Sequence, residues 1–134
     1  MILDTSALLA ILLDEPERRR FVEAIEADPT RVLSAATLVE CSIVLEVRHG
    51  PDGVRDLDLL LARAEISVAP VDVDQAYEAR HAFRNFGRGR HRAKLNFGDC
   101  FAYALSRSLG EPLLFKGSDF ALTDVSSALP ATEP

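Results

Sequence analysis

Four acidic residues occupy positions where packing gives them little to do. Asp4 interrupts an apolar start, Met1-Ile2-Leu3, and is followed by the hydroxyl pair Thr5-Ser6. Glu40 lies among Leu38, Val39, Cys41 and Ile43, Asp99 follows Asn96-Phe97-Gly98, and Asp119 follows Phe115-Lys116-Gly117-Ser118. Carboxylates gathered within a few ångströms repel, and some must protonate unless a cation intervenes. Oxygen-only ligands suit a hard ion, magnesium with manganese as a substitute, better than zinc. Each acid also has an ordinary role open to it. Asp4 is a candidate helix N-cap, Asp99 a favourable charge at a helix N-terminus, Glu40 a half-exposed helical residue and Asp119 a turn residue. Other chemistry has weaker support. His49, His81 and His91 lack partners at metal-ligand spacing, and Cys41 and Cys100 directly follow Glu40 and Asp99. Neighbours on a helix point about 100° apart, so both thiols are expected in the core.

What would bring distant acids together is the order of the elements. Ile2-Leu3 reads as a buried strand, and Ala7 to Leu13 as a helix apolar all round. A second helix follows Pro16, with Phe21, Val22 and Ile25 on one stripe, and Asp28-Pro29 ends it. Arg31–Ser34 is a second strand. A helix carrying Leu38, Val39, Ile43, Val44 and Val47 breaks at Gly50-Pro51, and Val54, Leu57, Leu60 and Leu61 continue beyond it as a helical hairpin. Ile66–Val71 is a third strand. Asp72 with Gln75 reads as a capping box for a helix packing Ala76, Ala79 and Phe83. Asn96 is expected to cap a helix with Asp99 at its third position and Gly110 just past its end. Leu113-Leu114-Phe115 is a fourth strand, and Val125 marks a short edge strand. The alternation predicts one α/β domain over residues 1–127, a mostly parallel sheet of four to five strands flanked by helices, and a flexible tail at 128–134. In such a sheet the carboxyl ends of strands and the amino ends of the following helices share one side. All four acids are therefore expected at one crevice.

The 134 residues carry a formal net charge of −6, with 48% apolar residues. That is enough to bury a core without staples. Two cysteines and no secretory or membrane-spanning run predict a reduced, cytoplasmic protein with no membrane role. The acidic total argues weakly against nucleic acid, but its distribution does not. Between Arg80 and Gly98 there is no acid, while Arg84, Arg88, Arg90, Arg92 and Lys94 fall there. These five are the candidate phosphate contacts, His91 lies among them, and Gly87 and Gly89 are expected to keep the arm adaptable.

The segments Met1-Ile2-Leu3-Asp4-Thr5-Ser6-Ala7, Glu40 after Ser34-Ala35-Ala36-Thr37, Asn96-Phe97-Gly98-Asp99-Cys100 and Phe115-Lys116-Gly117-Ser118-Asp119-Phe120 resemble those of the PIN-domain ribonucleases. Within that family the chain is similar to the VapC toxins of bacterial toxin–antitoxin pairs, over nearly its whole length. The resemblance implies a magnesium-dependent endoribonuclease that inhibits translation and growth by cutting transfer, ribosomal or messenger RNA. It implies a homodimer neutralised by a cognate VapB-type antitoxin in a hetero-oligomer. Asp4, Glu40 and Asp99 match the family's core metal acids, Asp119 its more variable fourth, and Ser6 a small hydroxyl position beside the first acid. The antitoxin is expected to lie in an apolar groove, with the Phe21 helix and the Leu57–Leu61 hairpin as its candidate walls, and to present a basic side chain to the acids.

Three other readings compete. A non-catalytic RNA-binding or regulatory module on the same fold predicts a damaged acid set, and none is damaged here. A receiver-type domain needs paired acids near the first strand, although Lys116 does follow a late strand. A haloacid-type phosphatase needs a second aspartate two residues after Asp4, where this chain has Ser6. Metal-dependent RNA cleavage separates the first reading from all three.

Overall fold

In the computed structural model, which describes residues 1–129, four short parallel strands form a sheet in the order β3-β2-β1-β4. They are β1 (Ile2–Leu3), β2 (Val32–Ser34), β3 (Ser67–Ala69) and β4 (Leu113–Leu114). The first two crossovers build outward from β1 to β2 and β3, and the last returns to the far side of β1. Strand order therefore reverses between β1 and β4, and the crevice beyond the carboxyl ends of that pair is where an open α/β sheet accepts a ligand. The register is fixed by alternation. Met1 and Leu3 join one core with Leu33 and Leu114, while Ile2 and Leu113 join a second core on the opposite face. A one-residue slip would exchange these sets.

The helices cover both faces. On the first lie α1 (Thr5–Leu12), α2 (Arg18–Ala27) and α3 (Ala35–Arg63), which bury Leu8, Ile11, Phe21, Leu45 and Leu57. On the second lie α4 (Val73–Phe86) and α5 (Phe97–Leu109), which bury Ala79, Ala82, Ala102 and Leu105. The expected break at Gly50-Pro51 is present: α3 leaves helical geometry at Gly50 (φ 63°, ψ −152°) and resumes with Pro51. Phe21 and Leu57, on the two elements expected to wall an antitoxin groove, are both fully buried in the same core.

Smaller expectations also shift. Asp72 Oδ1 accepts the Gln75 N–H, but the Gln75 amide turns to Ser108 Oγ rather than closing a reciprocal box. Phe83, expected inside, remains 39% exposed, and Ala82 takes the inward position. The edge pairing expected at Val125 is a single parallel bridge between Leu113 and Ser127. Ala128 and Leu129 are docked, with Ala128 N donating to Leu113 O and both residues packed on the first core. The rest of the expected tail, 130–134, lies outside the described residues.

Candidate metal centre

The four acids arise from four separate element boundaries. Asp4 leaves β1 with its N–H on Leu114 O at 3.0 Å and caps α1, accepting the Ser6 N–H at Oδ2. Glu40 lies in the second turn of α3, whose own cap is Ser34 at the end of β2. Asp99 is the third residue of α5 and closes a reciprocal capping box: Asp99 N donates to Asn96 Oδ1 at 2.9 Å, and Asn96 N donates to Asp99 Oδ2 at 3.0 Å. Asp119 precedes a 3₁₀ turn, Phe120–Leu122, and is exposed. The capping roles open to Asp4 and Asp99 are thus real. They use one oxygen of each carboxylate and leave the other without a side-chain or backbone donor.

Asp4 carries the electrostatic strain. It is 3% exposed, and its Oδ1 is buried with no hydrogen-bond partner among the described residues. Burial pushes its pKa up to about 6; the two bonds from Ser6 pull the other way, and the charges of Asp99 and Glu40 add to the rise. Asp99 is also raised, by burial first, against the pull of the Asn96 backbone bond and with the charges of Glu40 and Asp119 adding. The acids therefore feel one another across the crevice. No lysine, arginine or histidine forms an ion pair with any of them among the described residues. Lys116, the cation nearest Asp119 in sequence, pairs instead with Glu15 at 3.0 Å and Glu17 at 3.2 Å.

Neighbours fix the orientation of the acids. The Ser6 hydroxyl donates to Asp4 Oδ2 at 2.6 Å and accepts the Lys116 N–H at 3.0 Å, tying the end of β1 to the segment after β4. The Thr5 hydroxyl donates to Glu40 Oε1 at 2.5 Å. Among the described residues no three acidic, histidine or cysteine side chains stand close enough to grip an ion as they are. The set is electrostatically coupled but open, with Glu40 drawn to Thr5 and Asp99 to the Asn96 N–H. The donor chemistry still fits a hard divalent ion: oxygens only, one of them buried and unsatisfied, and no competing cation.

The basic segment differs from the adaptable arm expected of it. Gly87 pairs with Leu95 across a parallel bridge, Arg88 N donates to Leu95 O, and Leu95 N donates to Phe86 O. Ala93 and Leu95 are fully buried. Gly87 has ordinary φ (−70°) and is needed because a β-carbon there would collide with Phe83. Only Gly89, at φ 82°, answers a turn. His91 does not reach outward: its Nδ1 accepts the Ala93 N–H at 3.0 Å, and its ring stands edge-on to Phe86. The result is a closed loop that leads directly into Asn96. Arg88, Arg90, Arg92 and Lys94 are exposed on it and Arg84 is exposed on the last turn of α4 beside it, none in an ion pair among the described residues, with Arg90 stacked near the Phe83 ring. Beside it, Arg80, Phe83, Phe97 and Phe101 line an apolar hollow of about 410 Å³.

Two residues not singled out in the sequence touch the Glu40 carboxylate, Thr5 through its hydroxyl and Gly98 through the space its absent side chain leaves. The signal for Gly98 was a poor helix former in the first turn of a capped helix, which often marks a close approach. Cys41 and Cys100 are buried as expected, and burial pushes their thiols up to about 12 and about 11. Neither is a nucleophile at neutral pH.

Comparison with known proteins agrees with this architecture. The PIN domain family model matches residues 1–125. The chain is 53% identical to Ribonuclease VapC30 of Mycobacterium tuberculosis, over 97% of this chain and all of that one. It is 54% identical to Ribonuclease VapC of Mycolicibacterium smegmatis, over 95% and 98% of the two chains. Among solved structures it superposes on VapC20 of Mycobacterium tuberculosis, a toxin that cleaves the sarcin–ricin loop, with a TM-score of 0.78 at 17% identity over 96% of this chain and 98% of that one. A toxin–antitoxin complex from Klebsiella pneumoniae matches with a TM-score of 0.67 at 20% identity, over 90% and 89% of the chains.

Proposed function

This chain belongs to the PIN-domain family, and within it to the VapC ribonucleases, and we propose that it is a magnesium-dependent endoribonuclease acting as the toxin of a toxin–antitoxin pair. The observation that carries this reading is Asp4 Oδ1. A buried carboxylate oxygen with no donor, at the strand-order reversal of a parallel sheet and coupled to two further acids, costs free energy that a bound cation would offset.

The residues divide the work as follows. Asp4, Glu40 and Asp99 would hold the ion, and Asp119 would complete the set from its exposed position after β4. A magnesium ion there would activate a water and stabilise charge on the leaving oxygen of an RNA phosphodiester. Ser6 keeps Asp4 Oδ2 occupied and leaves Oδ1 as the oxygen free to meet an ion. Asn96 does the same for Asp99 through Oδ2. Arg84, Arg88, Arg90, Arg92 and Lys94 bind phosphates on either side of the scissile bond. The closed loop and the last turn of α4 present them at fixed positions, which suits an RNA read by shape and a short unpaired stretch. The products carry 5′-phosphate and 3′-hydroxyl ends.

The partners we propose are a second copy of this chain and a cognate antitoxin. Val39, Ile43 and Val47 recur at four-residue spacing on α3 and are 57%, 58% and 81% exposed, an apolar stripe of the kind that protein partners cover. No helix among the described residues is long and apolar enough to cross a membrane.

The test is incubation of the purified chain with cellular RNA in magnesium, in manganese and in EDTA, followed by mapping of the new ends. Discrete cuts with the ends named above, lost in EDTA and in Asp4→Asn, are expected. RNA binding without cleavage in either ion would favour the non-catalytic module and end this proposal.

A further inference from the structure

The Glu40 carboxylate is held from two sides by residues that are not acidic. On one side the Thr5 hydroxyl donates to Oε1 at 2.5 Å. On the other, Oε2 fills the space in which any residue but glycine at position 98 would carry its β-carbon, and Oε1 lies 2.7 Å from that point. Gly98 is buried and sits in the first turn of α5, where glycine is among the poorest helix formers. Its backbone does not call for glycine either, because the glycines with positive φ are Gly50, Gly89, Gly110 and Gly117. What requires the missing side chain is the carboxylate lying against it.

We propose that Thr5 and Gly98 are positioning residues that together seat the Glu40 carboxylate, one by a hydrogen bond and the other by leaving the seat empty. Glu40 reaches the crevice on a flexible side chain from the second turn of α3. Among the described residues only Thr5 hydrogen-bonds it, and repulsion from Asp4 and Asp99 acts to turn it away. A methyl group at position 98 would displace that carboxylate rather than the backbone, because the flexible end of a side chain moves more readily than two packed helices. The consequence falls on the ion site and leaves the fold in place. This inference rests on the metal reading above.

The experiment measures manganese binding to the RNA-free protein by electron paramagnetic resonance, alongside cleavage of a labelled RNA and melting in EDTA. Gly98→Ala is expected to weaken manganese binding and cleavage about ten- to a hundred-fold, the range seen when residues orienting metal ligands are lost, with melting in EDTA shifted by only a few degrees. In a Glu40→Asp background the shorter side chain withdraws from position 98. There the same substitution should cost less than about threefold. Thr5→Val should reproduce the loss and Thr5→Ser should restore binding. Unchanged manganese binding in Gly98→Ala overturns the proposal, as does a full loss that persists in the Glu40→Asp background. Should Gly98→Ala fail to fold, Thr5→Val decides by the same measurement. A wild-type chain that neither binds manganese nor cuts RNA would end the functional reading itself, an outcome distinct from an active wild type indifferent to these changes.

Discussion

Replacing Asp4 with asparagine should stabilise the metal-free protein while abolishing its activity. The folded-state pKa of Asp4 is raised to about 6 from 3.8, chiefly by burial. The folded chain thus holds this proton more tightly than the unfolded chain. Between those pH values it binds more protons than the unfolded state, so the free energy of unfolding falls as pH rises through the window. A displacement of this size corresponds to roughly 3 kcal/mol lost by pH 7. Asparagine keeps an acceptor for the two Ser6 donors and puts a neutral amide where Oδ1 stands without a partner. Burying that amide costs back about 1 kcal/mol. The net gain at pH 7.5 in EDTA is therefore about 2 kcal/mol, or roughly 5 to 10 °C in melting temperature for a domain of this size. At pH 4 that advantage should be gone and the variant should melt slightly below the wild type, by the cost of the buried amide, because Asp4 is then protonated in the folded state. Magnesium should raise the melting temperature of the wild type at pH 7.5 and leave the variant unmoved. The reasoning fails if the variant is the less stable protein at pH 7.5 in EDTA, or if its advantage is as large at pH 4.

Other substitutions test other links. Ser6→Ala removes the hydroxyl bond that lowers the Asp4 pKa and keeps the backbone one, so the acidic limb of the pH–rate profile should move to higher pH, with cleavage reduced about tenfold or more. Changing Arg88, Arg90 and Arg92 together to alanine should weaken RNA binding and flatten its salt dependence by about two units of slope, at roughly 0.7 per single-strand phosphate contact. An unchanged slope in a filter-binding titration would remove the loop from the RNA interface. Leu57→Ala empties a fully buried site and should cost about 2–5 kcal/mol in urea unfolding without changing the chemistry of the acids.

Much of this arrangement is written locally in the chain. The Asn96–Asp99 box, the Asp72 cap, the left-handed Gly110 and the apolar pairs Ile2-Leu3 and Leu113-Leu114 are decided within a few residues, and each appears as its sequence implies. The common side of the acids follows from parallel connectivity, which the alternation of elements already indicates. What local pattern could not supply was contact between distant segments. Thr5 meets Glu40 across 35 positions, and Gly98 meets it across 58. Neither residue type announces its partner. The basic stretch misled for a related reason. Two glycines and a run of arginines suggest mobility, yet buried Ala93 and Leu95, together with the Gly87–Leu95 bridge, hold the loop shut.

The treatment of Lys116 argues that the charge imbalance at the crevice is built in. This lysine follows β4 and its backbone N–H bonds Ser6, so its chain passes beside Asp4. An ammonium turned inward would neutralise an acid and lower the strain on Asp4. Instead Glu15 and Glu17, both on the segment between α1 and α2, take the ammonium at 3.0 and 3.2 Å. The fold thus spends two carboxylates on holding its nearest lysine elsewhere, while four others are left to repel one another around a buried oxygen with no donor. A structure selected for stability alone would have paired these charges across the crevice. One that must admit a divalent ion has reason to keep its own cation out, because an internal ion pair and a bound metal would compete for the same oxygens.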